Sequence, residues 1–164
     1  MKEKSLANHL TKFSTMKQCL LALCIICMAS SSAQAQQAKT HINHTAIYVI
    51  DLQKSLEFYS KIIGLDSIPN PFNDNKHAWY NTGDHSMLHV IQGATEKMAY
   101  YKNQHTCYTV PNFRSFIGKL VEAKWSWEDV SGKKNAVTTR VDGVHQIWLQ
   151  DPDGYWLEIN DDNY

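Results

Sequence analysis

Between residues 41 and 161 the apolar positions follow two rhythms. In the stretch from Leu52 to Ile63, the residues Leu52, Leu56, Tyr59 and Ile63 recur every three or four positions, which predicts a helix with one apolar stripe. Asp51 precedes it as an N-cap and Gly64 follows it as a C-terminal cap. A second helix is predicted from Phe113 to about Lys124, capped by Asn112 and striped by Phe116, Leu120 and Ala123. Around the helices the period is two, which predicts strands. His89 alternates with Leu88 and Val90, Glu158 alternates with Leu157 and Ile159, and His105, Cys107 and Thr109 alternate with Tyr108 and Val110. Pro69-Asn70-Pro71 and Asp151-Pro152-Asp153-Gly154 supply connections.

The pattern occurs twice. His44-Thr45-Ala46-Ile47-Tyr48-Val49 recurs 61 positions later as His105-Thr106-Cys107-Tyr108-Thr109-Val110, each followed by a capped helix. At an offset of 69, Trp79 matches Trp148, Asp84 matches Asp153, Leu88 matches Leu157 and His89 matches Glu158. The change of offset places eight extra residues in the second half, around Ser131-Gly132-Lys133-Lys134 and Asp142-Gly143. Each half reads β-α-β-β-β, with module one over 41–93 and module two over 103–161. Neither module closes a core alone. Together they predict an α+β domain in which one curved eight-stranded mixed sheet holds a central cup.

Ahead of this domain, Cys19 to Ala29 form an apolar run of eleven, preceded by Lys17 and followed by small residues with Ala33 and Ala35 at A-x-A spacing. As a helix it rises only about 16 Å, too short for a bilayer core of about 30 Å. Residues 1–35 therefore read as a signal peptide, with Met16 an alternative start, and residues 36–164 as a single exported domain, periplasmic or secreted, with no membrane span after signal removal. Cys24 and Cys27 also admit a lipid-anchored reading, which Leu23 and Ile26 before them disfavour. Beyond the signal only Cys107 remains, which excludes an intrachain disulfide. Sixteen basic side chains balance sixteen acidic ones, which argues against a nucleic-acid partner.

Strand parity puts His44, His89, His105 and Glu158 on the side away from the helices, in repeat-equivalent pairs. Imidazole and carboxylate together suit one divalent metal: Zn, Ni, Co, Mn or Fe. Tyr48, Trp79, Trp148 and Trp156 are candidate walls of a substrate cup. Cys107 reads as a small hydrophobe, His145 and Arg140 as candidate contacts to an anionic substrate, and His41, His77 and His85 as solvated residues near strand ends.

The segments INHTAIYVIDLQKSLEFYSKIIGL (42–65), Leu88-His89-Val90-Ile91, His105-Thr106 and VHQIWLQDPDGYWLEIN (144–160) resemble the vicinal oxygen chelate superfamily, which includes glyoxalase I, extradiol dioxygenases and bleomycin-binding proteins. The resemblance implies the same fold. It makes His44, His89, His105 and Glu158 the ligands on the first, fourth, fifth and last strands. His89 departs from the family, since glyoxalase I members usually carry Glu there and epimerases Gln. The resemblance also implies a small-molecule substrate with adjacent oxygens, a homodimer as one mode of assembly, and a lyase or isomerase reaction with Glu158 as base. An alternative is an Fe(II) extradiol-type dioxygenase on His44, His105 and Glu158, with His89 as acid/base. A second alternative is a non-catalytic binding or resistance protein. Arg114 and Arg140 are the only arginines, so no multi-arginine pocket for a glutathione-like carboxylate is evident.

Overall fold

The structure, a computed structural model, describes residues 39–83 and 85–162. The expected signal segment, the Met16 start and Asp84 lie outside the described residues. The elements run β1 (His44–Val49), α1 (Leu52–Glu57) continued as one π-helical turn (Phe58–Ile63), β2 (Ser67–Ile68), β3 (His77–Gly83), β4 (Ser86–Gln92), β5 (His105–Thr109), α2 (Phe113–Glu122), β6 (Thr138–Thr139), β7 (His145–Gln150) and β8 (Trp156–Asn160). Among the described residues no helix is long and apolar enough to cross a membrane.

Both predicted N-caps form. The Asp51 carboxylate accepts from Lys54 N at 3.2 Å and the Asn112 side chain from Ser115 N at 2.9 Å. The first helix widens after Glu57 because Gly64 N and Leu65 N both donate to Tyr59 O, at 3.0 and 2.9 Å, and Gly64 at φ 92 lets the chain leave. Phe58, Tyr59 and Ile63 are buried together by this turn. The second helix ends at Glu122, earlier than expected; Ala123 is its C-cap and is exposed, so the buried stripe consists of Phe116 and Leu120.

The eight strands form two four-stranded mixed sheets, ordered β1-β4-β3-β2 and β5-β8-β7-β6, rather than one continuous ladder. Their internal registers coincide under the sequence offsets. His89 pairs with Ala46 on one side and Trp79 on the other, just as Glu158 pairs with Cys107 and Trp148. Glu128 bridges to Trp148 as Ile68 pairs with Trp79, which locates the extra residues of module two between 128 and 148.

One face of each sheet builds the core. Val49, Leu88, Val90, Ile147, Leu149, Leu157 and Ile159 are at most 2% exposed and pack with Phe58, Tyr59, Phe116 and Leu120 from the helices. Each such side chain contributes roughly 1.5–3 kcal/mol by leaving water. The opposite face of the strands is therefore free to carry polar residues.

The junction between the sheets is polar. The Tyr155 hydroxyl accepts from Tyr48 N at 3.1 Å and donates to Tyr48 O at 3.2 Å, satisfying the outer edge of β1 there. Asp153 accepts from Ile50 N at 2.8 Å, and Tyr59 OH donates to Asp151 at 2.9 Å. The Asp-Pro-Asp-Gly turn thus anchors the β7–β8 hairpin to module one.

Candidate functional site

The polar faces carry the four predicted donors as two pairs. In module one the His89 ring lies between His44, stacked at 4.2 Å, and Trp79, stacked at 3.9 Å. In module two His105 Nε2 lies 3.4 Å from Glu158 Oε2, with the Trp148 ring edge-on to His105 at 4.3 Å. Parity thus holds for all four side chains. Convergence does not hold within one chain: among the described residues no group of three or more His, Cys, Asp or Glu is placed to hold a metal ion. The four expected ligands do not form one cluster here; they stand as two two-residue clusters, one on each sheet.

The chemistry of each pair fits a cation. His44 Nδ1 pairs with Asn43 Oδ1 at 2.8 Å and His105 Nδ1 with Lys102 O at 3.2 Å. Both partners are acceptors, so in the neutral rings Nδ1 carries the hydrogen and Nε2 presents its lone pair, the orientation that metal-binding histidines take from outer hydrogen bonds. His89 Nε2 is buried without a hydrogen-bond partner, and a buried nitrogen in that state is open to a water or an ion. Burial pushes the His89 pKa down, assisted by the neighbouring His44 and His77, which favours the uncharged donor.

Glu158 is buried. Its Oε1 accepts from Asn160 Nδ2 at 3.2 Å, leaving Oε2 toward His105. Cys107 shares this face, and its thiol pKa is pushed up to about 12, first by burial and then by the Glu158 carboxylate.

The aromatic candidates divide. Trp79 is half-buried against His89 and Trp148 is 4% exposed, and both indole Nε1 atoms lack partners. They back the donors rather than wall an open cup. Tyr48 is 52% exposed on β1. Trp156 donates to Tyr100 O at 3.1 Å and joins Thr45, Ala46, His105, Tyr100 and Tyr155 around a cleft of about 200 Å³ between the modules. Of the weaker candidates, Arg140 pairs with Asp142 and Asp162, His145 with Asp161, and His77 with Asp74.

Lys102 escaped sequence reasoning. Its Nζ donates to Glu128 Oε1 and Asp129 O, both at 2.7 Å, and stands 5.4 Å from the Trp148 and Trp156 rings. It ties the inserted segment to the donor face while its own carbonyl orients His105. Nothing in the local sequence marks this role. Asn160 was equally missed, although its repeat mate is the apolar Ile91.

A lactoylglutathione lyase of Pseudomonas putida is 26% identical over 162 residues, covering 78% of this chain and 90% of that protein. A probable lactoylglutathione lyase of Vibrio cholerae is 29% identical, covering 72% of this chain and 88% of the relative. Among solved structures, Oxidase ChaP-H1 superposes with a TM-score of 0.63 at 24% identity, covering 77% of this chain and 98% of that one. The family model of the Glyoxalase/Bleomycin resistance protein/Dioxygenase superfamily matches residues 41–159, which spans every described strand but the last residue of β8. The chain belongs to that superfamily.

Proposed function

We propose that the protein is a metal-dependent, glyoxalase-like lyase or isomerase acting on a small substrate with adjacent oxygens. The observation that carries this reading is the pair of repeat-equivalent donor clusters, His44 with His89 and His105 with Glu158, on the polar faces of their sheets, with His89 Nε2 lacking a hydrogen-bond partner. His44, His89, His105 and Glu158 would hold the divalent ion. When bound, the ion supplies Lewis acidity toward the substrate's oxygens. Glu158, the only carboxylate in the set, takes and returns the proton at the carbon beside the substrate carbonyl.

A single chain brings the donors together only two at a time, so the complete set of four requires a second copy, with module one of each chain facing module two of the other. The similarity to lactoylglutathione lyases supports the reaction class. The protein is exported and acts outside the cytoplasm on this reading.

The test loads the full chain with zinc, nickel or cobalt and follows isomerisation of methylglyoxal–thiol adducts. Turnover that His44→Ala and Glu158→Ala each abolish supports the assignment, and stoichiometric metal retained by both variants sinks it. Mixing the two inactive variants adds a check on assembly. Subunit exchange restores about one intact site in four if each site draws on two chains, and none if sites lie within one chain.

A second reading is favoured by His89 itself. Replacing the fourth-strand carboxylate leaves His44, His105 and Glu158 as a two-histidine, one-carboxylate set suited to Fe(II). Anaerobic iron loading followed by oxygen and catechol would then yield a coloured ring-cleavage product.

A further inference from the structure

The two modules place different side chains in the same backbone slots. In module one the residues around His89 are Ala46, Tyr48 and Ile91; in module two the corresponding residues around Glu158 are Cys107, Thr109 and Asn160. Asn160 is 5% exposed and lies two residues beyond Glu158 on the same face of β8. Its Nδ2 donates to Glu158 Oε1 and to Cys107 Sγ, both at 3.2 Å. Its Oδ1 accepts from Thr109 Oγ1 at 2.9 Å and from Asp162 N at 3.3 Å. A backbone N–H is only a donor, so the Asp162 contact fixes which end of the amide is oxygen and which end meets the carboxylate.

The polar set therefore accompanies the one candidate ligand that has two donor atoms. An imidazole offers a single lone pair and needs no such restraint, and at the His89 position the equivalent slot is filled by Ile91, whose side chain has no hydrogen-bonding group. At Glu158 the amide engages Oε1 and leaves Oε2 toward His105.

We propose that Asn160 is a positioning residue that makes Glu158 a one-oxygen ligand, holding the carboxylate so that only Oε2 is presented to the cation. This rests on the metal-site reading above. The polar replacements at Cys107, Thr109 and Asn160 are then the means by which the duplicated half accommodates a carboxylate where its partner half carries a histidine.

Cobalt(II) titration of the full chain, read both as affinity and as the visible absorption of the bound ion, tests this. Asn160→Ile installs the module-one residue and frees Oε1. The expected result is an affinity about tenfold weaker, the usual effect of removing an outer hydrogen bond to a ligand. A weaker visible absorption should accompany it as the carboxylate closes onto the ion through both oxygens and the coordination number rises. Asn160→Leu, which keeps the size but loses the donor without adding charge, should give the same spectrum and guards against a folding defect in the isoleucine variant. Cys107→Ala removes the amide's other contact and should leave the spectrum unchanged. Wild-type protein that takes up no cobalt removes the metal reading and this proposal with it. Wild-type binding together with Asn160 variants unchanged in affinity and spectrum, or reproduced by Cys107→Ala, overturns this proposal and leaves the metal reading standing.

Discussion

Replacing Tyr59 with Phe removes one oxygen from the junction that holds the Asp-Pro-Asp-Gly turn against module one. Tyr59 is 1% exposed and Asp151 4%, and the hydroxyl donates to Asp151 Oδ2 at 2.9 Å. Asp151 Oδ1 keeps its backbone donors Asp153 N at 2.9 Å and Tyr155 N at 2.8 Å, so the carboxylate is weakened rather than stranded. A hydrogen bond to a charged acceptor is worth about 1.5–3 kcal/mol, and the surviving donors put the expected loss near the lower end, about 2 kcal/mol. The dependence on pH gives the reasoning a second handle. Burial raises the Asp151 pKa, and the Tyr59 hydroxyl is the largest of the contacts opposing that rise. A raised folded pKa means that Asp151 contributes stability in acid and loses it as pH climbs through the folded value; the Tyr59 bond limits that loss because it favours the ionised form. Urea unfolding followed by tryptophan fluorescence should therefore show the Phe variant about 2 kcal/mol less stable at pH 7, with the gap narrowing toward pH 4. A gap below about 0.5 kcal/mol at pH 7, or one that widens in acid, would refute the assignment of this bond as a charge-assisted anchor.

Leu157→Ala empties a fully buried position on the core face of β8 and should cost about 2–5 kcal/mol in the same urea assay, whereas a cost under 1 kcal/mol would contradict the observed packing. Cys107 is exposed on the donor face, yet its thiol pKa is pushed up to about 12. Its reaction with a disulfide reagent at pH 8 should be slower than that of a free cysteine by about a hundredfold or more, and should accelerate in Glu158→Gln as the neighbouring charge is lost.

Strands were legible where one face is wholly apolar. Leu88 with Val90 and Leu157 with Ile159 are buried on both sides of their donors, so the faces of His89 and Glu158 follow from parity. β1 was harder to read because it is the edge of its sheet, and His44, Thr45, Ala46 and Tyr48 are all exposed. The π turn was hidden because a stripe of Leu56, Tyr59 and Ile63 satisfies an α-helix as well as the wider turn that buries Phe58 beside Tyr59. How the two sheets meet was not legible. It depends on the Tyr155 hydroxyl reaching the backbone of Tyr48, 107 residues away, and on Asp153 receiving Ile50 N, contacts that leave no period in the chain. Alternation shows which face a donor occupies, and only the packing of edges and turns decides which donors meet.

The exchange at the fourth strand changes the charge of the proposed set as well as its shape. Three neutral imidazoles and one carboxylate leave a divalent ion with one unit of positive charge uncompensated, whereas a glutamate in place of His89 would leave none. His89 suits the first arrangement: its ring is sandwiched between His44 and Trp79, and burial pushes its pKa down, so it stays uncharged at neutral pH. At roughly 5 Å and an effective dielectric constant of about 20, one unit charge alters the attraction for an anionic oxygen ligand by about 3 kcal/mol, or about a hundredfold in affinity. The cobalt-loaded His89→Glu variant should therefore bind acetohydroxamate much more weakly than the parent chain. Equal binding by the two proteins would show that the fourth-strand residue does not set the charge felt by a bound oxygen, and charge would no longer account for a histidine at that position.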